Sequence, residues 1–368
     1  MSDDVVLYIV IATALAFDFT NGFHDTANVV ATSISTRAMS PKVAVTFAAL
    51  LNFVGAFISL EVAATIASGI VNPDDITSTI VFAGLIGAIA WNLITWYFGL
   101  PSSSSHALIG GVVGAMIAAV GTSAVDGESL LGKVVVPALI APIVAFSVAG
   151  LAILLAYRIV GRLRPGPVNR GFRLGQVASG GMLALAHGTN DAQKTMGIIT
   201  LALIAHGSID PNNFHVPTWV VVSSATAIAL GTYSGGWRII RTLGSRIIKM
   251  DTAQGFSAQG AGAAVILASS HFGYPLSTTH VISGGVMGAG AARRLSAVKW
   301  GVAGNMMVAW VLTIPMAGLI GGAAYGLTTI FGTGALGPIV VSLLCIGLIA
   351  AVFGRRLQRG SVISAEAA

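Results

Sequence analysis

Five polar residues, Asp18, Asn21, His24, Asp25 and Asn28, interrupt a stretch spanning residues 5–36 that is otherwise apolar enough to lie in a bilayer. A carboxylate at the centre of a membrane helix costs at least about 2.5–3.5 kcal/mol on insertion scales, so it faces a partner or a wet cavity. On helical spacing Asn21, His24, Asp25 and Asn28 share one face, with Gly22 as the expected point of interruption. His187, Asn190, Asp191 and Lys194 repeat the arrangement around Gly188. Each set offers an amide or imidazole, a carboxylate and a further polar group, which together suit cation binding or proton transfer. The alternative is an interhelical hydrogen-bond clamp, which does not need two buried acids. Asp18 and Glu61 have no repeat copies, and for them the two roles stand level.

A second pair of motifs carries hydroxyls. Pro101-Ser102-Ser103-Ser104-Ser105-His106 and Pro275-Leu276-Ser277-Thr278-Thr279-His280 each follow a proline and precede a Gly-rich apolar run. Ser and Thr are good N-caps, and a helix start offers free backbone N–H groups with partial positive charge. Two such starts approaching from opposite sides of a membrane make an anion site. His106 and His280 fall in the first turn, placed to bind, to shuttle protons or to hydrogen-bond across the hairpins. Seven hydroxyls and several N–H donors suit a small tetrahedral oxyanion. Asp25 and Asp191 fit such a substrate if a cation travels with it or if a protonated carboxyl donates to it.

The elements that must position these residues follow from composition. Of 368 residues 55% are hydrophobic and 9% charged. A soluble domain carries about 25% charged residues, so the expected fold class is an all-α polytopic membrane protein. At about 20 residues per crossing the length accommodates about a dozen membrane segments and no soluble domain. Cys345, the single cysteine, excludes an intramolecular disulfide and a Cys-based metal cluster. Asp3 and Asp4 sit where a cleavable signal would carry positive charge.

The net charge of +6 is a matter of topology rather than of nucleic acid. The bases cluster at Arg37/Lys42, Arg158–Arg173, Arg238–Lys249, Arg293–Lys299 and Arg355–Arg359, which the positive-inside rule places in the cytoplasm. Asp3/Asp4, Asp74/Asp75, Asp126/Glu128 and Asp210 then lie outside, with the N-terminus outside and the C-terminus inside. Crossings are expected at 5–36, 43–70, 134–157, 174–206, 217–236, 300–328 and 338–354, with hairpins at 79–121 and 255–292.

The second half thus repeats the first with inverted orientation. Pro101, Ser103, His106, Gly110, Gly111, Gly114 and Ala115 recur at constant offset as Pro275, Ser277, His280, Gly284, Gly285, Gly288 and Ala289. The expected organisation is a first inverted repeat at 1–157, a basic linker at 158–174, a second repeat at 175–330 and a C-terminal helix and tail at 331–368. Helices broken at Gly22 and Gly188 and paired re-entrant hairpins complete it, an architecture associated with secondary transporters.

Gly22-Phe-His-Asp-Thr-Ala-Asn28 and Gly188-Thr-Asn-Asp-Ala-Gln-Lys194, with the paired Pro-x-Ser-Ser/Thr-Ser/Thr-His hairpins, resemble the PiT family of inorganic phosphate transporters, and its bacterial low-affinity members most. The resemblance implies import of phosphate by symport across the plasma membrane. It places Asp25 and Asp191 at the substrate and coupling-ion site, with phosphate held by Ser103, Ser104, Ser105, Ser277, Thr278 and Thr279, and Asn190 beside them. Asn21, His24, Asn28 and Lys194 join the coupling set.

Sodium-coupled members carry Asn where this chain has His24 and Lys194. Imidazole titrates near neutral pH, and a lysine ammonium can stand in for a bound cation, so both departures favour a co-transported proton over sodium. The bacterial members also suggest a divalent metal–phosphate complex as cargo. No resident cofactor is expected; the expected partners are phosphate and the lipid bilayer, with a homodimer left open. Sodium coupling is the alternative. A passive anion pore fits poorly with two buried acids. An intramembrane hydrolase fails because Ser105/His106 and Ser277/His280 are adjacent pairs that point to different sides of a helix.

Overall fold

The computed structural model describes residues 2–68, 75–210, 214–332 and 334–366. Asp74 and the side chains of Arg355, Arg356 and Arg359 lie outside the described residues. The described residues are predominantly helical: α1 (Ser2–Ser35), α2 (Pro41–Gly55), α3 (Glu61–Ser68), α4 (Ser78–Phe98), α5 (Ser104–Ala119), α6 (Gly127–Leu130), α7 (Val136–Val160), α8 (Pro165–Ala205), α9 (Thr218–Ser234), α10 (Trp237–Arg241), α11 (Thr252–His271), α12 (Thr278–Ala291), α13 (Trp300–Thr329) and α14 (Leu336–Glu366).

Two long helices form the centre. α1 and α8 pack together and run antiparallel: Asp4 lies 3.5 Å from His206 at one end, and Thr36 donates to Gln176 at 2.6 Å at the other. α9 packs on α1 and α2 on α8, so each long helix is covered by a helix from the other half of the chain. α5 is held between α4 and α13, and α12 between α11 and α7. The outer helices α7, α13 and α14 leave Leu139, Ile143, Leu151, Val311, Leu319 and Leu348 exposed, which is the surface a lipid-facing ring requires.

The expected breaks at Gly22 and Gly188 do not occur, and α1 and α8 are continuous through both. Close packing explains these glycines. A Cβ on Gly22 would lie 2.3 Å from the carbonyl oxygen of Ile228 in α9, and one on Gly188 would lie 2.1 Å from that of Asn52 in α2. Contacts that short let backbones touch only where a side chain is missing. Gly188→Ala is therefore expected to lower stability by about 1–3 kcal/mol, the range for overpacking. A thermal midpoint equal to wild type in detergent would contradict this packing role.

The interruptions fall on the covering helices instead. The expected crossing at 43–70 splits into α2 and α3 at residues 56–60, and the one at 217–236 ends at Gly235 before α10. Gln193 of α8 closes the first gap, its side-chain oxygen accepting from the backbone N–H groups of Val62 at 2.9 Å and Ala63 at 3.1 Å. Glu61, considered above as a buried acid, is exposed in the first turn of α3, where a carboxylate complements the helix dipole.

Among the described residues four stretches are long and apolar enough to cross a membrane, Asp3–Ser35, Ser78–Phe98, Gly127–Val160 and Trp300–Thr329, against the dozen expected. Three shorter apolar helices, Pro41–Gly55, Ser104–Ala119 and Leu336–Val352, accompany them. Division by length overcounts because several segments are half-length. The crossing expected at 174–206 lies in α8 and is absent from the four, because residues 186–203 are buried by neighbouring helices and need no apolar surface. In the stretch expected as a basic linker, only residues 161–164 are outside helix.

Candidate functional site

The hairpin tips end in capped helices. Ser103 accepts from the backbone N–H of His106 at 3.1 Å, and Ser277 from that of His280 at 3.3 Å. These two hydroxyls act as caps, so the N-termini of α5 and α12 are the arms that reach the centre. The tips touch there: Ser105 donates to the carbonyl oxygen of Leu276 at 3.1 Å.

Asp25 from α1 and Asp191 from α8 converge beneath these tips. Ligand atoms of Asp25, His187 and Asp191 all lie within 4.8 Å of one another, and all three residues are buried. Thr278 bridges the carboxylates, 3.5 Å from Asp25 Oδ2 and 3.3 Å from Asp191 Oδ2, and its one proton serves either. Thr279 donates to Asp25 Oδ1 at 3.4 Å. Asn28 donates to the Thr279 and Thr278 hydroxyls at 2.9 and 3.2 Å, which frees both hydroxyl protons to point at acceptors.

Each carboxylate has a histidine. His24 Nδ1 is 2.7 Å from Asp25 Oδ1, while its Nε2 faces Thr95 at 3.2 Å and Ser102 at 3.4 Å. His187 Nε2 is 3.1 Å from Asp191 Oδ2. The amide of Asn52 donates to Thr232 at 2.7 Å, which turns its oxygen toward His187 Nδ1 at 3.2 Å. That oxygen assigns the proton to Nδ1, so a neutral His187 presents an Nε2 lone pair to Asp191. Two electron-rich atoms at that spacing are stable only with a proton or a cation between them.

Lys194 supplies the fixed positive charge. Its ammonium pairs with Asp191 and donates to Ser105 Oγ at 2.5 Å and to the Leu276 carbonyl at 2.9 Å. All three ammonium protons are used, and one side chain ties the carboxylate of α8 to both hairpin tips. Asp25, Asp191 and Lys194 together carry one negative charge, which one proton or monovalent cation neutralises.

Other expected site residues stand further off. Asn190 donates to Ser270 at 2.8 Å and to the Tyr274 carbonyl at 3.2 Å, bracing the loop before α12. The Ser104 hydroxyl and the side-chain oxygens of Asn28 and Asn190 are buried with no partner, and so is the whole amide of Asn21. His106 and His280 contact each other edge-on at 4.8 Å, and His280 stacks on Trp310 at 4.1 Å, which makes them a packing pair between hairpins. Asn52, Thr95 and Thr232 went unnoticed in the sequence, and Gln193 figured there only as part of the second acid motif. A lone amide inside an apolar run was the available signal for Asn52.

The profile describing the phosphate transporter family matches residues 21–321. A protein of Mycobacterium tuberculosis named a probable low-affinity inorganic phosphate transporter is 53% identical over 327 residues, covering 89% of this chain and 78% of its own. One of the same name from Bacillus subtilis is 44% identical over 323 residues, covering 87% and 96%. A solved structure described as the sodium-dependent phosphate transporter shares the fold with a TM-score of 0.80 at 23% identity, covering 88% of this chain and 99% of that one. With the matched span enclosing the acid motifs and both hairpins, the chain belongs to the phosphate transporter family, whose members are membrane carriers and not enzymes.

Proposed function

We propose that this chain imports inorganic phosphate across the plasma membrane by proton symport, working by alternating access between two inverted repeats at residues 1–157 and 175–330. One observation carries the reading: two carboxylates from opposite halves of the chain meet under two hydroxyl-bearing helix N-termini, with a lysine built into the same cluster. The antiparallel course of α1 and α8 and the exchange of α2 and α9 between them support the repeat relation.

Hydroxyl protons and helix dipoles attract the anion, and Lys194 offsets part of its charge. The charge count then favours a neutral cargo. A divalent metal–phosphate complex would place its metal near Asp25, His187 and Asp191 and its phosphate oxygens toward Ser104, Ser105, Thr278 and Thr279. A single further proton completes the neutralisation. The site is buried on every side, as expected for the occluded step of such a cycle.

Labelled phosphate uptake by the purified chain in magnesium-loaded proteoliposomes tests the substrate. Accumulation above the external concentration separates a carrier from a passive pore, and equilibration alone would contradict symport. Thr278→Val is expected to raise the KM for phosphate by about 10–100-fold, the loss of about 1.5–3 kcal/mol for a hydrogen bond to a charged group. A KM equal to wild type would remove Thr278 from the substrate shell.

A further inference from the structure

One buried acid is unused by this site. Asp18 sits on α1 seven residues before Asp25, two turns away on the same face, with Asn21 between them. It is completely buried, and neither carboxylate oxygen accepts a hydrogen bond of normal geometry. Both amide atoms of Asn21 are also buried without partners, and among the described residues the hydroxyl of Thr195 on α8 is the one hydrogen-bonding side chain set against Asp18, at a geometry short of a full hydrogen bond. The offset that pairs Asp25 with Asp191 pairs Asp18 with Ala184, so no second copy of this acid is needed to build the fold.

The surroundings hold little compensating charge. From α8, Asp191 and Lys194 act on Asp18 with opposite signs, and the Lys194 ammonium is already committed to Asp191, Ser105 and Leu276. His24 and Asp25 share its own helix. Against α1, α4 and α9 carry only Tyr97 and Tyr233 as titratable groups, and α14 brings Cys345 to a different face. An ionised carboxylate in such a place loses its hydration, and the Thr195 hydroxyl and a lysine already committed elsewhere return only part of it.

We propose that Asp18 is a second proton-binding site of the transport cycle, occupied as the neutral carboxylic acid in the closed state and linked electrostatically to the anion at the Asp25/Asp191 centre. The step is simple addition: the carboxylate takes one proton from the side to which it opens and returns it as a proton. An anion arriving at the centre favours the protonated form, and by reciprocity the proton at Asp18 tightens anion binding. That linkage is what symport requires, and the inference rests on the transport reading above.

Two measurements on the full-length protein decide it. The first is the infrared C=O stretch of protonated carboxyls at neutral pH without phosphate. A band present in wild type, absent in Asp18→Asn and shifted in Asp18→Glu is expected; a band unchanged in Asp18→Asn overturns the proposal. The second is equilibrium binding of labelled phosphate with magnesium across pH. The wild-type affinity is expected to change by up to about tenfold more per pH unit than that of Asp18→Asn, the limit for one linked proton, with Asp18→Glu restoring the dependence. Equal slopes in a folded Asp18→Asn protein overturn it. Failure of wild type to bind phosphate at any pH contradicts the transport reading, while the infrared band still decides the protonation of Asp18.

Discussion

Lys194→Gln is expected to destabilise the protein by about 3–5 kcal/mol and to stop accumulation of phosphate. Removing one partner of a buried ion pair leaves the other charge without compensation, and that is the range such removals show. Here the ammonium also holds Ser105 and the Leu276 carbonyl, so its loss uncouples the two hairpin tips as well as exposing Asp191 to an unbalanced interior. The double variant Asp191→Asn/Lys194→Gln removes both charges and is expected to be more stable than Lys194→Gln alone. A cycle of thermal midpoints over the four proteins gives the coupling between the pair. Additive effects would mean that the two groups are not paired as ions.

Asp25→Asn is the complementary case, with a large functional effect and a small structural one. Asparagine keeps the shape and an acceptor for Thr279, but it cannot take a proton or hold a cation as a carboxylate does. His24 then faces an amide, and the cluster loses the negative charge that a co-transported cation neutralises. Accumulation is expected to fall at least about a hundredfold, the lower end of what a positioned proton-transfer group contributes, with a thermal midpoint near wild type. Accumulation within a few-fold of wild type would demote Asp25 to an interhelical clamp.

The chemistry of the site was legible because it is local. Asp25 and Asp191 stand out as acids in apolar runs, and the Ser103 and Ser277 caps follow from hydroxyls placed after a proline. Their convergence was inferable only through the repeat. The roles of Gly22 and Gly188 were not legible, because a glycine that breaks a helix and one that admits a neighbour look the same in one dimension. The backbones of Ile228 and Asn52 decide the matter, and they lie far along the chain. The same limit hid the gap at residues 56–60, which depends on Gln193 reaching across from α8 to cap α3. The crossing expected at 174–206 is not among the four long apolar stretches, since a helix sheathed by protein is free to carry His187, Asp191 and Lys194. Burial by other helices, not apolarity, marks the functional core of this membrane protein.

Proton coupling through the Asp25/Asp191 cluster is the central claim, and simultaneous recording of labelled phosphate and internal pH in proteoliposomes tests it most directly. With magnesium present and sodium absent, an inward proton gradient should drive phosphate above equilibrium while the lumen acidifies in step, and Asp25→Asn should abolish both signals. Accumulation that requires a sodium gradient, proceeds without acidification and ignores the proton gradient would contradict the account.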